Sequence, residues 1–286
     1  MTRRNQAIIR FLFAIAVGGA LCATGHAQTS GDPHNWDVGG IRLGISVEQA
    51  QAALHAHDPS MKVQVLQSPS QVAKGTFTSV VVGATGAQGI ADSKKSDAIL
   101  IAFTETEGNK AYSITRVLTY DQSSPAPTDV LIQQLTEKYG KPHLSICTPG
   151  RPCGSFNIPQ GLTLRGSPQA PFYHAVFWNF GPDGQRVNAD ACASAYGAPI
   201  GDVAFKDLGQ GFSFPTASHE LPENHCGIGL AVNLDESVSD AIEVQQMLVD
   251  AQLQYRDLAN IDKIHKDADA KRLEDLKAKA QQTSPF

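Results

Sequence analysis

Ala98-Ile99-Leu100-Ile101-Ala102-Phe103-Thr104, Glu107-Gly108-Asn109 and Ser113-Ile114-Thr115-Arg116-Val117-Leu118-Thr119-Tyr120 decide how this chain folds. Two apolar, β-branched runs flank a Gly-Asn turn, the pattern of a β-hairpin. Pro125-Ala126-Pro127 then leads to Thr128, which reads as the cap of a helix through Tyr139; Gly140 and Pro142 stop that helix. A hairpin followed by a helix, with no long apolar crossover between the strands, predicts an α+β protein built on antiparallel or mixed sheets.

Toward the N-terminus, Trp36-Asp37-Val38 and Ile41-Arg42-Leu43 suggest an extended piece. Ser46-Val47-Glu48-Gln49 is a capping box, and the helix it opens buries Ala50, Ala53 and Leu54 before Asp58-Pro59 ends it. Further strands are predicted at 63–66 and 77–82. Toward the C-terminus, strands are predicted at 162–165, 172–180 and 228–234, with a turn at 235–240. Residues 241–249 read as a strand, although their glutamines also suit a helix. A long helix starts at about Ala251, with Tyr255, Leu258, Ile261 and Ile264 as apolar contacts, and becomes almost wholly charged and Ala-rich beyond Ile264. The expected organisation is a signal peptide at 1–27, an N-terminal α+β module at 28–145, a disulfide-stapled β-rich module at 146–250, and a C-terminal helix and tail at 251–286.

The 286 residues are 42% hydrophobic and 18% charged, which excludes disordered, collagen-like and coiled-coil classes outside the last stretch. Arg3 and Arg4, the apolar run 8–21 and the small residues of Gly25-His26-Ala27 form a secretory signal with cleavage near Ala27. Leu21 stands where a lipoprotein signal places a small residue before its cysteine, so Cys22 reads as part of the removed segment. Cleavage takes three arginines and no acidic residue, moving the net charge from −5 to −8. A mildly acidic chain has no electrostatic footprint for nucleic acid. No later stretch is apolar enough for stable membrane insertion of the mature chain. The expected location is therefore periplasmic or secreted.

Four cysteines remain in the mature chain: Cys147, Cys153, Cys192 and Cys226. In an exported protein they read as two disulfides with three possible pairings. Thr148-Pro149-Gly150-Arg151-Pro152 turns the chain back on itself and favours Cys147–Cys153, which leaves Cys192–Cys226 to close a long loop.

Gly40-Ile41-Arg42-Leu43-Gly44-Ile45-Ser46-Val47-Glu48-Gln49-Ala50, with Leu54 after it, resembles the entry segment of the BamE/OmlA (SmpA-like) lipoproteins and of modules like the β-lactamase inhibitor protein. The hairpin and Lys138-Tyr139-Gly140-Lys141-Pro142 are also similar to uncharacterised proteobacterial periplasmic proteins. The resemblance implies a binding module without a catalytic centre. It transfers no functional residue, because the matching positions are turn, cap and core.

Other motifs fail on context. Val80-Val81-Val82-Gly83-Ala84-Thr85-Gly86-Ala87-Gln88-Gly89 looks like a dinucleotide fingerprint, but a strand resumes at Ala98 and leaves no room for the crossover helix. His219, Glu220, Glu223, His225 and Cys226 gather potential metal ligands, yet the histidines are six apart and Pro222 breaks any helix. No Gly-x-Ser-x-Gly elbow occurs. Alternation along 172–180 puts Tyr173, Ala175, Phe177 and Asn179 on one face, with Phe172, His174, Val176, Trp178 and Phe180 on the other, as in a core strand. No catalytic, cofactor-binding or metal-ligating residue is therefore assigned, and no cofactor. The expected function is a non-catalytic envelope binding protein with a protein or envelope-component partner. The alternatives are an inhibitor or immunity protein, and an envelope hydrolase around His174, His219 and His225.

Overall fold

The structure, a computed structural model, describes residues 32–86, 95–121, 123–147, 172–188, 192, 199–205, 210–215, 220–237 and 240–283. After a 3-10 turn at Pro33–Asn35, the elements run β1 (Asp37–Val38), β2 (Ile41–Arg42), α1 (Val47–His57), β3 (Lys62–Pro69), β4 (Thr76–Thr85), β5 (Ser96–Phe103) and β6 (Ala111–Thr119). They continue with β7 (Ala126–Pro127), α2 (Thr128–Tyr139), β8 (Leu144–Cys147), β9 (Phe172–Asn179), β10 (Pro199–Phe205) and β11 (Gln210–Pro215). The chain then forms β12 (Ile228–Ser237), β13 (Asp240–Asp250) and α3 (Ala251–Thr283).

One antiparallel sheet dominates, in the order β3-β4-β5-β6-β13-β12-β9-β8, with β7 paired to the start of β13. The β5–β6 hairpin follows the expected pattern, with Ile99 opposite Arg116 and Ile101 opposite Ile114. β6 then pairs with β13, from Val249 opposite Ser113 to Glu243 opposite Thr119. One sheet therefore carries strands from both sides of the boundary expected at 145/146. Residues 241–249 lie in β13, so the strand reading holds there over the helix. Their glutamines join a ladder between two long strands, and burial of Val244, Leu248 and Val249 outweighs local helix propensity.

Strand alternation sorts the side chains into two layers. Ile99, Ile101, Ile114, Val176, Trp178, Leu230 and Val232 share one core with Ala50 and Leu54 of α1 and Leu135 and Tyr139 of α2. The opposite face carries Val82, Ala98, Leu100 and Val117, covered by Phe214 of β11. Both faces of β9 are buried, with Val176 and Trp178 on the helix side and Ala175 and Phe177 on the other. β10 and β11 form a separate antiparallel pair in a stretch where the sequence shows little periodicity.

Local details explain why the elements begin and end where they do. The capping box of α1 is formed: Gln49 N–H donates to Ser46 Oγ at 3.3 Å, and Ser46 N–H donates to Gln49 Oε1 at 3.0 Å. For α2 the expectation is corrected, since Pro127 occupies the cap position and Thr128 is the first helical residue, with no side-chain cap hydrogen bond. The fixed φ of Pro127 supplies a turn into the helix that needs no hydroxyl. The predicted strand at 162–165 lies outside the described residues.

α3 differs from its expected contacts. Ala251, Leu253, Gln254, Asp257 and Ile261 are buried, whereas Ile264 is exposed. Asp257 explains the difference, because it accepts hydrogen bonds from Glu105 N–H at 3.0 Å, Thr106 N–H at 2.5 Å and Thr106 Oγ1 at 2.8 Å. These bonds dock the first turns of α3 against the loop between β5 and β6. From Asp262 to Gln281 every position is exposed. No helix among the described residues is long and apolar enough to cross a membrane.

Candidate functional site

A cleft of about 560 Å³ opens where the N-terminal turn, the end of α2 and the loop after β9 meet. Asp32 accepts the His34 N–H at 3.0 Å, and the short turn it starts carries Trp36 into the core. Trp36 meets Tyr139 edge-on at 5.2 Å and Phe180 at 5.4 Å. Tyr139 is fixed in turn, because its hydroxyl donates to the Asp37 carbonyl at 2.5 Å, while Lys138 pairs with Asp37 Oδ1 at 2.8 Å. Burial, with the nearby Asp37 charge, keeps the Tyr139 phenol protonated well above its ordinary range.

Gly140, at φ +82°, ends α2 and offers its carbonyl to Trp178 Nε1 at 2.9 Å. The chain then turns so that the His143 N–H reaches the Phe177 carbonyl at 2.7 Å. This sets the His143 ring against Phe180 at 4.8 Å. The loop Gly181–Gln185 closes through Gly181 N–H to the Gln185 carbonyl, and Arg186 after it lines the cleft together with Lys141.

The cleft is lined by two cations, Lys141 and Arg186, two carboxylates, Asp32 and Asp183, and the ring of His143. The Asn179 N–H donates to His143 Nδ1 at 2.9 Å, so the proton of the neutral ring is on Nε2. Burial pushes the His143 pKa down to about 4, helped by the positive charge of Arg186, and the ring is neutral at pH 7. Arg186 Nη2 lies 3.5 Å from the Pro142 carbonyl. Lys141 is exposed on the rim. Trp36 is 2% exposed and its indole N–H has no acceptor among the described residues. The acidic members, Asp32 and Asp183, each already hold a backbone N–H of their own turn, at 3.0 Å.

The sequence-assigned cysteines fare unequally. Cys192 and Cys226 are disulfide-bonded, with Cα atoms 5.6 Å apart and a sequence separation of 34. The bridge is buried beside Ala251 at the base of α3. Cys147 is in β8, opposite His174, and Cys153 lies outside the described residues, as does the bridge expected between them. Ligand atoms of Cys192, His225 and Cys226 lie within 4.8 Å of one another, but sulfurs committed to a disulfide are not thiolate ligands. His225 is exposed, 3.9 Å from Glu223. His219 lies outside the described residues.

His174 has a partner that sequence reasoning missed: its Nε2 lies 2.8 Å from Ser145 Oγ on the neighbouring strand. Burial lowers its pKa. No hydrogen bond from the other ring nitrogen to a carboxylate occurs among the described residues.

A second missed cluster links α1 to the sheet. Arg116 donates to both oxygens of Asp97, at 2.9 and 2.5 Å, and His57 Nε2 lies 3.0 Å from Asp97 Oδ2. Burial pushes the Asp97 carboxyl up, but the hydrogen bonds and charges of Arg116 and His57 together outweigh it and hold the group below its ordinary value. This cluster ties the end of α1 to the sheet and is fully occupied by its own members.

Gly83, in the glycine-rich stretch after Val80, is explained by packing. β4 and β5 are antiparallel neighbours, with Thr85 opposite Asp97, and antiparallel pairing is incompatible with a dinucleotide-type crossover. Gly83 lies under α1, where a Cβ would stand 2.9 Å from both Leu54 Cδ2 and Met61 Sδ.

Comparison of the chain with protein-family models, with curated proteins and with solved structures finds no match in any of the three.

Proposed function

We propose that this is an exported binding protein of the cell envelope, engaging a protein or another envelope component without a catalytic step of its own. The cleft walled by Trp36, Tyr139, His143 and Phe180 carries the proposal. It combines an apolar floor with a few convergent polar groups, the usual make-up of a binding site. The polar groups that line it are a histidine held neutral, the cations Lys141 and Arg186 and the carboxylates Asp32 and Asp183. Export is supported by the signal-like segment 1–27 and by a buried cystine, which persists in oxidising compartments.

In-cell photocrosslinking from position 141 tests the binding role. A species captured by the wild-type chain and lost in Phe180→Ala and Arg186→Glu supports it; identical capture by all three proteins refutes it. Osmotic-shock fractionation with N-terminal sequencing tests export, with a mature chain beginning near Gln28 expected. The 2.8 Å Ser145–His174 pair favours an envelope hydrolase as a second reading. Covalent labelling by a fluorophosphonate, abolished in Ser145→Ala, would establish that reading instead.

A further inference from the structure

The cystine at the base of α3 and the turn beside it bring together donors that the binding role proposed above does not use. We infer that in its dithiol state the protein binds one thiophilic cation, zinc(II) or copper(I), through Cys192, His225 and Cys226, and that closing the cystine releases it.

Ligand atoms of these three side chains already lie within 4.8 Å of one another. Tetrahedral zinc holds sulfur at about 2.3 Å and imidazole nitrogen at about 2.0 Å, so its ligand atoms stand about 3.5–3.8 Å apart. Once the bridge opens, the two sulfurs must separate to that spacing and the nitrogen must close by at most about 1 Å. A cavity of about 10 Å³, lined by both cysteines with Gly227 and Ala251, adjoins the bridge and gives the sulfurs room to part. Two thiolates and an imidazole are soft to borderline donors, which select zinc(II) or copper(I) over calcium or magnesium.

The turn that carries two of the donors is held without help from the bridge. Cys226 N–H donates to the Glu223 carbonyl at 3.0 Å, and Gly227 N–H donates to the Phe180 carbonyl at 2.7 Å. Gln252 of α3 clamps the same turn, donating from Nε2 to the Asn224 and Cys226 carbonyls at 2.7 Å each. His225 and Cys226 therefore stay adjacent when the cystine opens, which lowers the ordering cost of binding. Burial divides the donors usefully. Cys192 and Cys226 are buried with Ala251, while about half of the His225 side chain faces solvent and marks the entry. The Glu223 carboxylate, 3.9 Å from His225 Nδ1, adds negative charge at that entry. The sequence spacing that rules out a helical zinc motif does not bear on donors set on a turn and on a segment 34 positions away.

The two states exclude each other by electron count. A dithiol donor reduces the cystine with two electrons and two protons and becomes a disulfide itself. The cation then displaces the two thiol protons. In the reverse direction a disulfide oxidant takes the two electrons, and two protons from solvent, to become two thiols; the bond between Cys192 and Cys226 re-forms and the cation leaves.

The test uses the full chain, reduced with a phosphine so that no added thiol competes, and titrated with cobalt(II), zinc(II) and copper(I). Cobalt(II) should give thiolate-to-metal charge-transfer absorption saturating at one equivalent, absent from the oxidised protein. His225→Ala should weaken binding at least tenfold. Its oxidised form should keep the bridge and the wild-type thermal midpoint, because the side chain is exposed. Cys192→Ser should abolish the absorption. Oxidised glutathione added to the loaded wild-type protein should release one equivalent of metal. Firmer retention of zinc(II) or of copper(I) against a chelator identifies which cation the site prefers. The inference is overturned if the reduced protein gives no such absorption. Equal absorption in His225→Ala or Cys192→Ser also overturns it, by placing the metal on the other cysteines.

Discussion

His143 is held neutral by the fold, and the consequence is a pH-dependent stability. Its pKa falls from an ordinary 6.5 to about 4, because burial and Arg186 both disfavour the imidazolium. The unfolded chain therefore binds more protons than the folded one between these values, and stability rises with pH there. The contribution is complete above about pH 6.5 and is lost as the pH drops toward 4. His174, also lowered by burial, acts in the same direction. Thermal midpoints measured from pH 7.5 to 4 should decline through this window, and His143→Gln should flatten the decline. A midpoint independent of pH in both proteins would contradict it. None of this was readable in the sequence, where His143 is one histidine among several. Its role comes from a backbone N–H 36 residues away and a ring contact with Phe180.

At the scale of elements, two contacts seat the helices. α1 lies close enough over β4 that Gly83 has no room for a side chain. Gly83→Ala should cost about 1–3 kcal/mol by pushing on Leu54 and Met61, measurable by urea denaturation. An unchanged midpoint would mean that α1 sits farther from the sheet. For α3 the seat is Asp257, which accepts three hydrogen bonds from Glu105 and Thr106. Asp257→Ala should speed amide exchange through the first three turns of α3 and destabilise the protein by about 2–3 kcal/mol. Exchange in the exposed part of the helix beyond Asp262 should not change. The helix was predicted from its start at Ala251, and Ile261 as a buried contact, but the burial of Leu253, Gln254 and Asp257 was not. An aspartate on an apolar-looking face reads as solvent-facing until the loop that feeds it N–H groups is seen.

For the whole molecule, the Cys192–Cys226 bridge closes a loop of 34 residues against the base of α3. Reduction should lower stability by roughly 3–4 kcal/mol on the loop-entropy model, read as a shift in urea midpoint between oxidised and reduced protein. Equal midpoints would show that the bridge constrains nothing the fold does not already hold. The α+β class, the β5–β6 hairpin, the capped α1 and the end of α2 were all legible in sequence. Each rests on signals within a dozen residues: strand periodicity, a Gly-Asn turn, a capping box, and a Gly and Pro stop. The pairing of β6 with β13, which makes a single sheet, joins residues about 130 positions apart and leaves no local trace. The cleft likewise takes Trp36, Tyr139 and Phe180 from three separate segments, each of which alone reads as ordinary core. Local chemistry settled which elements this chain forms. Which faces meet, and so where a ligand can bind, was settled only by burying those faces together in three dimensions.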